Sequence, residues 1–166
     1  MDIEKYNKVK ARFQRSIMDK IVDARYDEDT GVSVVTLGTK WGTFTHAVRL
    51  SEEDKDIANR WDGCKFAHYL CMIDKLKSKG YAFIERANGI NHAATVVARA
   101  MYDSGVSRVE NPSEFNKVLG KMRDQAYYAE RDGRKYLEVA ESMKQKYPEF
   151  VEETLKARRK FQKKEQ

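Results

Sequence analysis

The sequence predicts an α+β fold, with a three-stranded antiparallel meander packed against several helices and a helical C-terminal region. Three observations favour it. Residues 20–50 are strand-like and broken by turn residues. Apolar residues recur at helical spacing before and after that segment. Only two prolines and nine glycines interrupt the 166 residues, which favours long helices.

The strand prediction rests on three segments and the turns between them. Val22, Ala24 and Tyr26 alternate with polar neighbours, residues 32–37 are mainly β-branched, and residues 43–48 fit a third strand. Residues 27–31 and 38–42 have the Asp and Gly content of turns. Connections this short predict an antiparallel meander. Because three strands leave one apolar face open, helices are expected to cover it.

Helices are predicted on both sides of the meander. Residues 2–17 have an amphipathic pattern. Ser51 followed by three acids is typical of a helix start, and this helix is expected to run to about Lys77 and to end at Gly80. Residues 81–84 fit a strand or a helix, with Asn88–Gly89 as an interruption. Residues 90–101, rich in alanine and valine, predict a largely buried helix.

The C-terminal region is also predicted to be helical. Asn111 and Pro112 are a cap and a first helical residue. Gly133 marks a bend in this interpretation, and Pro148 starts a last segment. A boundary near residue 110 would divide a compact α+β unit, residues 1–110, from a helical region, residues 111–166, within one domain overall.

Composition limits the class of protein. The formal charge is +6 with 35% charged residues, which favours an acidic partner over a surface that serves solubility alone. The sequence has neither a signal-peptide core nor a membrane-spanning apolar run, so no membrane partner is expected. Cys64 and Cys71 would lie about 10 Å apart on one helix. This spacing predicts reduced thiols in a cytoplasmic protein.

The sequence offers one candidate metal site and no recognisable catalytic motif. Cys64, His68 and Cys71 share a face that suits zinc, but a fourth ligand is missing, so burial in the core is the favoured interpretation. The sequence has no nucleophile elbow, Ser–His–Asp pattern or glycine-rich phosphate loop. We therefore expect a protein that is not an enzyme and that needs no metal or cofactor.

Basic residues near both ends are the predicted binding residues. Cations in the C-terminal tail recur at helical spacing, and such a stripe would bind phosphates. The alternative is a solvated helix in which Glu152 pairs with Lys156. Arg12 and Arg15 form a second, weaker candidate. The tail residues are Lys156, Arg159, Lys160, Lys163 and Lys164.

Tyrosines are frequent in the C-terminal region. Tyr127, Tyr128, Tyr136 and Tyr147 could stack on bases. Packing against neighbouring helices is the commoner role of such residues, and it is the interpretation that we favour here.

One segment resembles a known group of proteins. Its residues are Thr36, the run Gly42-Thr43-Phe44-Thr45-His46-Ala47, the run Ser51-Glu52-Glu53-Asp54-Lys55, then Gly63 and Ala67. Residues 30–77 thereby resemble small accessory proteins of phages that infect Firmicutes. They are similar in places to Thoeris anti-defence sponges, which sequester a cyclic nucleotide signal. The resemblance implies a phage origin and a binding role in the cytoplasm of the infected bacterium, and it assigns no ligand-binding residue.

Three functions remain open. The leading hypothesis is a non-enzymatic phage accessory protein that binds nucleic acid or a host nucleoprotein, such as a CRISPR effector that it inhibits. The second is a sponge for a nucleotide signal, with Arg86, Arg99 or Arg108 holding phosphates. The third is an oligomeric scaffold, in which exposed apolar helix faces pair with further copies of the chain.

Overall fold

The computed structural model describes residues 19–55, 57–103 and 112–162, and it confirms the α+β fold. None of the helices in these ranges combines the length and the apolar character needed to cross a bilayer. The elements in chain order are β1 (Lys20–Asp27), β2 (Val32–Thr39), β3 (Gly42–Arg49), the single-turn helix α1 (Glu52–Lys55), and the long helices α2 (Arg60–Asp103) and α3 (Pro112–Gln162).

The strands form the predicted antiparallel meander, in the order β1-β2-β3. Local chemistry fixes the first turn, since the Asp27 carboxylate accepts hydrogen bonds from the backbone N–H groups of Asp29 and Thr30, at 3.0 and 3.1 Å. Gly31 closes that turn with φ of 66°, a conformation that glycine adopts at little cost. The turn residues seen in the sequence therefore determine the connectivity of the sheet.

One face of the sheet packs on α2. Val35 and Leu37 are two residues apart on β2, so their side chains point to the same face. Both are fully buried in a cluster with Ala67 and Cys71 of α2. Ile21, Ala24 and Phe44 close its margin from the outer strands. Burial alternates along β2, whereas Val22 of β1, which the sequence pattern groups with Ala24, is 62% exposed.

The long helices contribute to two compact units. The first unit contains the sheet, the chain up to Lys75 and the chain from Ala140 onward. In it, the Phe66 ring meets Phe150 edge-on, with centroids 5.8 Å apart, and Tyr69 stacks on Phe150 at 4.6 Å. The second unit is Leu76–Val139, where Ala87 packs with Ala126 and Ala129. In each unit the contacts move back along α3 as they advance along α2, from Gly80–Gly133 to Ala87–Ala126 in the second unit, so the pairing is antiparallel.

The predicted interruptions at Gly80, Gly89 and Pro148 are wrong, because α2 continues through the two glycines and α3 through the proline. The predicted helix start at Pro112 is confirmed, and Gly133 lies inside α3. Gly80 and Gly133 face each other closely, because a Cβ built on Gly133 would lie 2.8 Å from the carbonyl oxygen of Gly80. Here glycine serves close helix packing instead of ending a helix.

The helix predicted from Ser51 to about Lys77 is divided in the structure, since α1 ends at Lys55 and α2 begins at Arg60.

Two further expectations need correction or completion. Residues 81–84 are helical, which settles the choice between strand and helix. Residues 90–101 are helical as predicted, yet they are not largely buried: Ala94 is buried, while Val96 and Val97 are exposed. The packed face instead follows Ala87 and Ala94, seven residues apart. The predicted helix 2–17 and the boundary near residue 110 lie outside the described residues.

Candidate functional site

Acids of the protein itself pair with part of the predicted cationic tail. Lys156 Nζ lies 2.7 Å from Glu152 Oε1, and Arg159 Nη2 lies 3.7 Å from Asp54 Oδ1. Lys160 is exposed. The other predicted cations, Lys163, Lys164, Arg12 and Arg15, lie outside the described residues. Two of the three described tail cations therefore have part of their charge offset inside the molecule.

Arg158 pairs with a buried carboxylate of the first unit. Its guanidinium donates from Nε to Asp62 Oδ2 at 2.8 Å and from Nη2 to Asp62 Oδ1 at 3.1 Å. The Asp62 side chain is fully buried, and it also accepts from Lys65 Nζ and the Asn59 backbone N–H. Asn59 in turn caps the start of α2 by accepting from the N–H groups of Trp61 and Asp62. Arg158 thus ties the end of α3 to the beginning of α2.

The environment of Asp62 lowers the pKa of its carboxyl group. Burial by itself raises this pKa, but hydrogen bonds from Arg158, Lys65 and the Asn59 N–H outweigh burial and bring it below 3.8. The folded protein therefore stabilises the ionised carboxylate relative to the unfolded chain.

Acid is expected to weaken the fold through Asp62. Since its pKa is lower in the folded state, the stabilisation is complete above about pH 4 and is lost as the pH falls through the folded-state value. In Asp62→Asn this component is missing at every pH. The difference in unfolding free energy between wild type and Asp62→Asn, measured by urea denaturation, should shrink below pH 4. A difference that stays constant with pH would contradict the prediction.

Cys71 belongs to the core, as the sequence interpretation favoured. Its thiol is buried and donates to the carbonyl oxygens of Val35 and Phe44, at 3.4 and 3.3 Å. Burial raises the pKa of this thiol, which keeps it protonated. Within the ranges that the structure describes, no group of three or more His, Cys, Asp and Glu side chains is placed to hold a metal ion.

A histidine–aspartate pair was missed by the sequence reading. His46 Nε2 of β3 and Asp74 Oδ2 of α2 are 2.7 Å apart, and both side chains are partly exposed. They are 28 residues apart in the chain, so no local pattern could have linked them. The pair joins the sheet to the helix beside Cys71.

The outward side of α3 carries a different row of cations. Lys117, Lys121, Tyr128, Arg131 and Lys135 are all exposed, and their spacing of four, seven, three and four residues places them on one helix face. We call these five residues the outer stripe. It extends about 27 Å along α3. Asp124 lies on the same face and is the acid nearest to its centre.

The lysines of the outer stripe differ from Lys156 and Arg159 of the tail in forming no ion pair with an acid in the described ranges. In the part of the chain that the structure describes, no acid forms an ion pair with Lys117, Lys121 or Lys135. Arg131 bonds to Asp132, with Nη2 3.1 Å from Oδ1. The positive charge of the three lysines is therefore available to an external anion.

The prediction that the tyrosines of α3 pack between helices is wrong for two of them. Tyr127 and Tyr128 are 63% and 53% exposed. Tyr136 and Tyr147 do pack, against Phe83 and Tyr69 respectively. The difference follows from helical spacing, because Tyr136 and Tyr147 share a face of α3 with the buried Ala129 and Ala140, whereas Tyr127 and Tyr128 do not.

Comparison with protein-family models, with curated proteins and with solved structures found no match to this chain. Its function is therefore inferred from its own residues. Of the arginines predicted to hold nucleotide phosphates, Arg86 and Arg99 are exposed on α2, and Arg108 lies outside the described residues. The outer stripe combines three lysines that pair with no described acid and the exposed ring of Tyr128, which is next to that of Tyr127, a combination suited to phosphates and bases.

Proposed function

We propose that this protein binds nucleic acid without catalysing a reaction on it, through the outer stripe of α3. The observation that carries the proposal is the line of three exposed lysines, Lys117, Lys121 and Lys135, that pair with no described acid. Lysines that contact phosphates release the counterions condensed on a nucleic acid, and this release favours binding. A row about 27 Å long suits an extended polyanion better than a single small anion.

The C-terminal tail has a weaker claim to the same role. To bind a phosphate, Lys156 and Arg159 must first give up Glu152 and Asp54, so part of the favourable energy is spent on breaking internal pairs. Arg158 is committed to a buried carboxylate. Lys160, Lys163 and Lys164 remain as predicted contacts of the tail.

Neutralising the outer stripe is expected to weaken nucleic-acid binding and its dependence on salt. In the variant Lys117→Gln/Lys121→Gln/Lys135→Gln, the slope of log affinity against log salt should fall by about two to three units. Affinity should fall most at low salt, where counterion release contributes most. Fluorescence anisotropy with a labelled oligonucleotide, titrated at several salt concentrations, measures both quantities.

The tail supplies a matched control. The variant Lys160→Gln/Lys163→Gln/Lys164→Gln removes the same number of charges from the same protein. It should change the salt slope less than the stripe variant does. If the tail variant loses the binding and the stripe variant keeps it, the interface lies in the tail and our assignment is wrong.

The biological setting stays a prediction. The phage accessory role and the bacterial cytoplasmic location rest on the resemblance of residues 30–77. Affinity capture from a bacterial lysate, with and without nuclease, distinguishes a host nucleoprotein partner from free nucleic acid. If the protein binds nucleic acid, as proposed, nuclease should release the captured material. A purified partner that is retained after nuclease and that ignores the stripe substitutions would contradict the proposal.

A further inference from the structure

Tyr128 belongs to the outer stripe, and Tyr127 adds a second aromatic ring at its side. Their ring centroids are 5.6 Å apart and their planes meet at 69°. Both side chains are more than half exposed in the folded chain. Exposing two adjacent aromatic rings to water forgoes the burial that usually stabilises tyrosine. Burial in the core therefore does not account for the placement of these two rings.

Arg131 contacts the Tyr128 ring through its positively charged guanidinium group. Its guanidinium carbon lies 5.0 Å from the centroid of Tyr128, within the range of a cation–π contact. Arg131 also bonds to Asp132, which fixes the guanidinium near the ring. The Tyr128 ring lies between cations of the stripe, because it follows Lys121 by seven residues and precedes Lys135 by seven.

We propose that the outer stripe selects single-stranded nucleic acid over duplex, with Tyr127 and Tyr128 stacking on unpaired bases while the lysines contact the backbone. This inference rests on the proposed function, since it assigns the class of nucleic acid to the same surface. Stacking needs an accessible base face. A single strand offers such faces, whereas a duplex keeps its bases stacked on each other and presents phosphates and groove edges. Since every base has a π face, the selection is tolerant of sequence.

Removing the rings is expected to abolish the preference for single strands. The variant Tyr127→Leu/Tyr128→Leu keeps apolar side chains and the charge of the stripe, but it cannot stack. Its affinity for an oligothymidine of about 15 nucleotides should fall roughly ten-fold or more. Its affinity for a duplex of the same length should change less than about two-fold, because the lysines are intact. Anisotropy titrations with the two probes at one salt concentration measure this.

Tyr81→Leu is the matched control, because Tyr81 is an equally exposed tyrosine, at 62%, on α2. It should leave both affinities unchanged, and circular dichroism should show equal helicity in all variants. If wild type binds both probes equally and with a steep salt dependence, the inference is overturned and the proposed function stands. If wild type binds neither probe, both fail. If the double variant retains the preference for single strands, the tyrosines are not its cause.

Discussion

Replacing Arg158 by methionine is expected to lower the free energy of unfolding by about 3 kcal/mol. Methionine keeps much of the length of the side chain, but it removes both hydrogen bonds to Asp62 and the positive charge. The carboxylate would remain fully buried, with only Lys65 and the Asn59 N–H to compensate it. Leaving a buried charge without its main partner costs several times more than losing a surface pair.

Lys156→Met on the same helix is the control. Its ion pair with Glu152 has both side chains about 60% exposed, so its loss should cost about 0.5 kcal/mol or less. Urea denaturation followed by circular dichroism gives both values. Similar small losses in the two variants would show that the Asp62–Arg158 pair contributes no more than a surface pair. Nucleic-acid binding should be unchanged in Arg158→Met at temperatures where it is folded, because Arg158 is outside the outer stripe.

The sheet was predictable from the sequence because its determinants are local. The capping carboxylate of Asp27 and the positive φ of Gly31 act within four residues of each other. The side chains of β2 alternate between the core and the other face, as in any strand, but the sequence does not show which face is buried, since Ser33 is buried and Val34 only partly so. Nothing distant in the chain is needed to place these strands.

The lengths of the helices were not predicted, since glycine and proline were taken as helix ends. The feature of the sequence that indicates uninterrupted helices is the regular spacing of the apolar residues. Along α3, small or apolar residues recur at alternating intervals of three and four through Gly133 and beyond, a pattern typical of helices paired as a coiled coil. They run Phe115, Leu119, Met122, Ala126, Ala129, Gly133, Tyr136, Ala140, Met143, Tyr147 and Phe150.

The candidate interface was missed for a related reason. The tail was favoured because its cations recur at helical spacing, and the sequence alone does not show which of them pair with acids of the same protein. The carboxylates that form ion pairs with Arg158 and Arg159 belong to Asp62 and Asp54, about a hundred residues earlier in the chain. Only the fold brings these acids to the tail. Lys117, Lys121 and Lys135 are more widely spaced in sequence, and only the folded chain shows that no acid among the described residues pairs with them.

Gly133→Ala is expected to lower the free energy of unfolding by about 2 kcal/mol or more. The new Cβ would lie 2.8 Å from the carbonyl oxygen of Gly80, 2.9 Å from Ile84 Cγ1 and 3.2 Å from the Ile84 backbone nitrogen. Backbone atoms cannot rotate away as a side chain can, so α2 and α3 must separate locally. Alanine favours a helix over glycine by about 1 kcal/mol, which offsets only part of this cost. Thermal or urea denaturation measures the net effect.

Two other helical glycines provide a control of opposite sign. Gly89 in α2 and Gly120 in α3 have no atom within 4 Å of a built Cβ. Gly89→Ala and Gly120→Ala should therefore each raise the free energy of unfolding by about 0.5–1 kcal/mol, through helix propensity alone. If Gly133→Ala were stabilising like these two, the close backbone contact at Gly80 would not exist in solution. A loss at Gly133 beside gains at Gly89 and Gly120 would establish that the glycines of this helix pair have two distinct roles, of which only one is packing.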